Sequence, residues 1–193
     1  MLNTPLLHSE EGRGGDKMFK EEREELRFDW NMIGNIGEGR PNLGSTMDVS
    51  VYRLMQFTLR DVLIKQFDTE TADRIFFEAG KHAGREFCKE LITRKDDFNE
   101  FVTELKELLK KLKIGILRVE KSDLENMTFT LAVAEDLDCS GLPASGETIC
   151  TYDEGFISGL LSEYTGHSFD AKEVDCWCSG DRVCRFDVRP AAG

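Results

Sequence analysis

Ile114-Gly-Ile-Leu-Arg-Val-Glu-Lys-Ser-Asp-Leu-Glu-Asn-Met-Thr-Phe-Thr-Leu-Ala-Val-Ala-Glu135 is where the hydrophobic period of this chain changes. Before it, apolar residues recur every three to four positions; within it they alternate. Ile114 to Lys121 and Met127 to Glu135 read as two strands, and the polar run Ser122 to Asn126 as the turn of a hairpin. That change of period is the argument for a sheet in a chain that is otherwise helical.

Upstream, three helices are predicted. The first spans about Asp48 to Phe67, with Asp48 as N-cap and Val51, Leu54, Met55, Thr58, Leu59 and Val62 on one stripe. The second spans about Thr69 to Thr93, with Ile75, Phe76, Ala79, Ala83, Phe87 and Leu91 in line. The third spans about Asp97 to Lys113, with Phe98, Phe101, Val102, Leu105, Leu108, Leu109 and Leu112 as its apolar face. Downstream, Cys139 to Gly146 reads as a loop and residues 148–164 as a fourth helix. Ser168 to Cys176 and Val183 to Val188 read as a closing strand pair. The order predicts an α+β fold, with helices packed on a central antiparallel sheet. Gly80 and Gly84 sit four apart in the second helix, and Gly155 and Gly159 in the fourth. Glycine costs about 1 kcal/mol inside a helix. Pairs at this spacing predict close approach of another backbone or of a ligand.

Residues 1–25 read as a flexible or helical tail, with a short helix possible over 17–27. Residues 26–189 read as the domain, entered by an extended segment near Leu26 to Ile33 and a glycine-rich loop through Gly44. The formal net charge of −12 repels phosphate and excludes nucleic acid as the expected partner. No apolar run reaches the roughly 18 residues of a membrane span. The stretch Met1 to Lys20 lacks the apolar core of a signal peptide, so the expected location is cytoplasmic. There is no phosphate-binding loop or dinucleotide fingerprint, and no catalytic dyad; an enzyme is not the expected reading.

Six cysteines are present: Cys88, Cys139, Cys150, Cys176, Cys178 and Cys184. Their crowding toward the C-terminus points to a metal. Glu173 and Cys176 lie three apart. Cys176 and Cys184 flank the turn at Gly180 and Asp181, and Cys150 can reach in from the preceding helix. These four are the expected ligands of one structural zinc, a site closed by protein on all sides. Cys178 in place of Glu173, buried free thiols without metal, and disulfides are the alternatives.

The pattern Cys150, Gly155-Phe-x-x-Gly159, Glu173-x-x-Cys176-x-x-x-Gly180-x-x-x-Cys184-x-Phe186 resembles the 4-vinyl reductase domain family. Asn42-Leu43-Gly44, Val51-Tyr52-Arg53-Leu54 and Ala79-Gly80-x-x-x-Gly84 resemble its stand-alone members, so the likeness covers about residues 26–189. That family includes the aromatic-sensing domains of bacterial phenol- and toluene-responsive activators, in which the matching cysteines and glutamate bind zinc. The resemblance implies a fold similar to nitric-oxide sensing and vesicle-tethering proteins, a homodimer, and a signalling partner. It also implies a small hydrophobic or aromatic ligand in a pocket lined by Phe101, Leu105, Phe129, Val133, Phe156 and Tyr164, with a cavity of a few hundred cubic ångströms. The phenol sensors hold the hydroxyl with a histidine and a tryptophan. Here His8, His82 and His167, and Trp30 and Trp177, do not match those positions, which implies a more apolar or larger ligand. His82 is expected to be a solvent-facing or satisfied helix residue and not a haem ligand. The expected function is a zinc-containing sensor or regulatory domain. Its alternatives are a tetrapyrrole 4-vinyl reductase or accessory protein, and an assembly protein akin to vesicle-tethering subunits.

Overall fold

The expected hairpin is present in the computed structural model as β1 (Ile116–Asp123) and β2 (Thr128–Ala134). β3 (Phe169–Asp175) and β4 (Cys184–Pro190) complete an antiparallel sheet of order β1-β2-β4-β3. The structure describes residues 28–94 and 96–191. The readings of residues 1–25 as a tail and 17–27 as a short helix lie outside the described residues.

Period-2 alternation sets the two faces of the sheet. Register places Leu117 beside Val133, Leu131 beside Phe186 and Phe129 beside Val188, all buried on the inner face. The outer face is charged: Arg185 pairs with Glu120 and Asp175, and Thr130 donates to Asp187. Helix α4 (Phe98–Lys111) covers the inner face with Phe101, Leu105 and Leu109, starting at Asp97, whose carboxylate accepts from the amides of Asn99 and Glu100.

Helix α5 (Thr151–Thr165) does something the period of its sequence does not announce. Its buried Glu154, Ser158 and Ser162 stand four apart and accept from the amides of Glu173, Ala171 and Phe169, at 2.8, 3.0 and 3.1 Å. Four helical residues rise about 6 Å and two strand residues about 6.7 Å, so the two repeats stay in step for three bonds. The free edge of β3 is thereby closed by side chains rather than by another strand, which satisfies buried amides and blocks edge pairing.

Helix α3 (Thr69–Leu91) packs along α5. Its buried face carries Ala72, Gly80, Gly84, Phe87 and Cys88, whereas Ile75 and Ala79 of the expected stripe point outward. The glycines set that rotation, because they allow the closest approach.

Helix α2 (Val49–Gln66) is held through polar groups. Tyr52 donates to Asp138 and Gln56 to the other oxygen of the same carboxylate, both at 2.8 Å. The Arg53 guanidinium donates to the carbonyls of Leu137 (2.8 Å) and Ser140 (2.9 Å). Its expected apolar stripe is present but uncovered in the single chain: Val51, Leu54, Met55, Leu59 and Val62 are each half or more exposed.

The expected extended entry segment is not observed. The chain divides into two units after Gly34. In the first, Trp30–Ile33 is a 3-10 turn; in the second, α1 (Ile36–Gly39) is a single helical turn. Asp29 accepts from the Asn31 amide and Asn35 from the Glu38 amide. Short polar side chains that capture nearby amides favour such turns over extended backbone.

Candidate metal centre and ligand cavity

Four segments deliver one cysteine each to a common point. Cys139 lies in the turn after β2, Cys150 is the N-cap of α5, Cys176 follows β3 and Cys184 opens β4. All four are at most 1% exposed. Their sulfurs lie within 4.8 Å of one another. Cys150 Sγ is 3.8 Å from Cys176 Sγ and 3.7 Å from Cys184 Sγ, and Cys139 Sγ is 3.0 Å from Cys184 Sγ. A zinc–sulfur bond of about 2.3 Å gives a tetrahedron with edges of about 3.8 Å, so the two Cys150 edges fit that ion's donor set. No disulfide joins the described cysteines.

Local structure explains who is in the cluster. Strand β3 stops at Asp175 and residues Trp177–Ser179 form a 3-10 turn closed by Gly180 at φ +106°. Cys176 and Cys178 therefore do not alternate on a continuing strand. Cys178 is buried apart from the group, and its carbonyl accepts from the amides of Ser145 and Gly146. Trp177 Nε1 donates to the Leu142 carbonyl at 2.9 Å, clamping the Cys139 turn onto the same place.

Of the four residues expected from the sequence, the structure brings Cys150, Cys176 and Cys184 together, and puts Cys139 in the fourth place. Glu173 lies alongside: its Oε2 accepts from the Cys150 amide at 3.0 Å, and its Oε1 is buried with no hydrogen-bond partner. Burial pushes the Glu173 carboxyl up to about 7, against the pull of the Cys150 amide. Within the cluster, Cys139, Cys150 and Cys184 act as donors toward Cys176, which lowers the Cys176 thiol, while Cys150 is raised by its sulfur neighbours. Cys178 is raised to about 11, chiefly by burial. A signal for Cys139 existed in its membership of the C-terminal cysteine group, but nothing in its spacing favoured it.

Above the thiols, α4, β1, β2 and α5 enclose an apolar cavity of about 60 Å³. Phe101, Leu105, Phe129, Val133 and Phe156 line it, as expected from the sequence. Tyr164 does not; its ring stacks on Phe101 at 3.9 Å between centroids. Phe98 stacks on Phe129 at 5.1 Å. These rings occupy most of the expected volume, so the cavity is well below a few hundred cubic ångströms. At its floor lie Asp136 and Asp153. Asp136 Oδ1 accepts from the amides of Asp138 and Cys139. Burial and then Asp138 push the Asp136 carboxyl up to about 6. Burial, with Asp136 and Asp138 nearby, holds the Asp153 carboxyl well above the usual range.

An α+β domain with an apolar cavity over a buried thiol cluster is the class this geometry defines. Residues 129–190 match the family model of the vinyl-4-reductase domain, and the chain carries that domain. The likeness to the 4-vinyl reductase family read from the sequence is thus borne out. Two uncharacterized proteins of Methanocaldococcus jannaschii are similar in sequence. One, MJ0150, is 33% identical over 61% of this chain and 64% of its own length, so the match spans just under two thirds of that relative. The other, MJ1642, is 29% identical over 76% of this chain and 80% of its own length. Three solved structures share the fold, each with a TM-score of 0.59. They are the phenol-responsive sensory domain of the transcription activator PoxR (15% identity, 75% of each chain), a vinyl-4-reductase family protein from M. jannaschii (18%, 87% of this chain and 100% of that one), and a trafficking protein particle complex subunit 3 from Naegleria fowleri covalently bound to palmitic acid (12%, 75% and 95%). Among the described residues, no helix is long and apolar enough to cross a membrane.

Proposed function

We propose that this chain is a small-molecule-binding regulatory domain whose ligand is apolar, whose buried cysteines hold one structural zinc, and which works as a homodimer on a partner protein. The observation that carries the reading is the loop 136–140. Asp136 lines the cavity and Cys139 belongs to the thiol cluster, while Asp138 and the carbonyls of Leu137 and Ser140 hold Tyr52, Gln56 and Arg53 of α2. A change at the cavity wall thus has a short route to the uncovered helix. Zinc fits the four thiols by donor type and edge length, and its role there is to fix four chain segments, not to react.

The cavity as it stands holds about 60 Å³. A dry cavity that binds benzene is about 150 Å³. A ligand therefore enters by turning aside the Phe98–Phe129 or Phe101–Tyr164 stack; a tetrapyrrole does not fit. Thermal unfolding with toluene, indole and medium-chain fatty acids tests this. A ligand at one hundred times its Kd adds about 2.7 kcal/mol, or roughly 5–11 °C at about 2–4 °C per kcal/mol for a chain of this size. Phe129→Trp abolishes the shift without unfolding the protein. If no compound in the panel raises the Tm, the second reading takes over, an assembly protein. The ring-filled cavity and the bare α2 face favour that reading, and the trafficking-complex subunit has the same fold.

The occupant of the α2 face in this reading is a second copy of the chain. A stripe of five exposed aliphatic side chains on one helix exceeds the scattered apolar residues normal on a monomer. Native mass spectrometry is expected to give a dimer, and Leu54→Lys with Met55→Lys a folded monomer. A monomeric wild-type chain rejects the dimer.

A further inference from the structure

Asp153 is the residue that the zinc reading leaves unexplained. Its Oδ2 is shut off from solvent and meets no hydrogen-bond donor. Orphaned buried carboxylate oxygens are costly, and a native site explains them by a ligand or an ion. Asp153, Asp136 and Cys150 each offer one donor atom, and the three lie within 4.8 Å of one another. Asp136 is 4% exposed and Cys150 1%. Around them the structure buries Asp138, Glu173 and the other three thiols of the cluster. A divalent ion held by four thiolates still leaves two negative charges, and the carboxylates add to them. Arg53 is close by, but its guanidinium is spent on the carbonyls of Leu137 and Ser140.

We propose that Asp136, Asp153 and Cys150 form a second metal site, for a divalent transition ion, sharing the Cys150 sulfur with the thiol-bound zinc. The proposal rests on the four-thiol reading, because Cys150 is common to both. Mixed thiolate and carboxylate donors suit zinc, iron or cobalt rather than calcium or magnesium, which take oxygen alone. Three protein donors are one fewer than a closed structural site supplies. Both carboxylates also line the apolar cavity, so the remaining position is open to a small molecule there. The first ion is a rivet; the second is where a ligand's donor atom binds.

The test is Co²⁺ titration of the full chain after removal of metal under reducing conditions, with visible absorption and native mass spectrometry as readouts. Two equivalents bind: the first with the intense bands of a tetrathiolate site, the second with a weaker, separate change. Asp153→Asn takes up one equivalent and keeps the tetrathiolate spectrum. Asp136→Asn, which retains Oδ1 for the two amides it serves, does the same and stands in should the first variant fail to fold. Saturation of the wild type at one equivalent overturns the second site and leaves the thiol site standing, with Asp136 and Asp153 sharing a proton instead. Two equivalents in both variants overturns the assignment of its ligands. No uptake at all sinks the thiol reading as well.

Discussion

Chelation of the purified protein removes the thiol-bound zinc and lowers the Tm by more than about 10 °C, and Cys139→Ser does the same without chelator. The reasoning is thermodynamic. The cysteines at 139, 150, 176 and 184 come from four segments that meet only in the folded chain, so the free energy of binding is free energy of folding. A loss of even about 5 kcal/mol moves the midpoint of a chain this size by about 10–20 °C. Elemental analysis of the variants then assigns the fourth ligand. Glu173→Gln is expected to keep its zinc, because Glu173 spends Oε2 on the Cys150 amide and lies outside the sulfur group. Cys178→Ser is expected to keep it too, since Cys178 is turned away by the 3-10 turn. Zinc lost from Glu173→Gln but retained by Cys139→Ser gives the site to Cys150, Glu173, Cys176 and Cys184. Zinc lost from Cys178→Ser gives it to Cys178.

The elements were legible because their periods are clean. The switch from helical to alternating apolar residues at Ile114 located the hairpin, and aspartate caps located the helix starts to within a few residues. Three thiols of the cluster were legible because Gly180 marks a turn between Cys176 and Cys184. Cys139 was not, because its position depends on how the 136–140 loop is tied to α2 by Arg53, a contact between residues more than eighty apart. The closure of the β3 edge was also illegible: Glu154, Ser158 and Ser162 read as an ordinary polar face, and only the tertiary fold gives them amides to accept from. The cavity was overestimated for a related reason. Spacing shows which aromatic residues face inward, but not that Phe101 and Tyr164 stack and fill the space between elements.

Gly159→Ala is expected to destabilise the protein by about 3 kcal/mol or more, the opposite of what helix propensity alone gives. On propensity, alanine in place of an interior helical glycine gains up to about 1 kcal/mol. Here a Cβ on Gly159 would stand 1.9 Å from the Lys81 carbonyl oxygen, and one on Gly155 2.0 Å from that of Phe77. The contact is reciprocal: a Cβ on Gly80 would stand 2.1 Å from the Tyr152 carbonyl oxygen, and one on Gly84 2.1 Å from that of Phe156. Each clash is with backbone, which cannot rotate aside as a side chain can. Relief requires α3 and α5 to part by roughly an ångström along their length, judged against ordinary van der Waals separation. That displacement would also pull Ser158 and Ser162 off the β3 amides and Cys150 off the thiol cluster, so overpacking at one atom reaches the sheet and the metal. Denaturant unfolding of Gly159→Ala and Gly84→Ala measures the cost. Gly39→Ala is the control, since a Cβ there meets nothing within 4 Å, and it leaves stability unchanged within about 0.5 kcal/mol. If Gly159→Ala is as stable as Gly39→Ala, the two helices do not approach this closely, and the packing that positions α5 over the β3 edge is wrong.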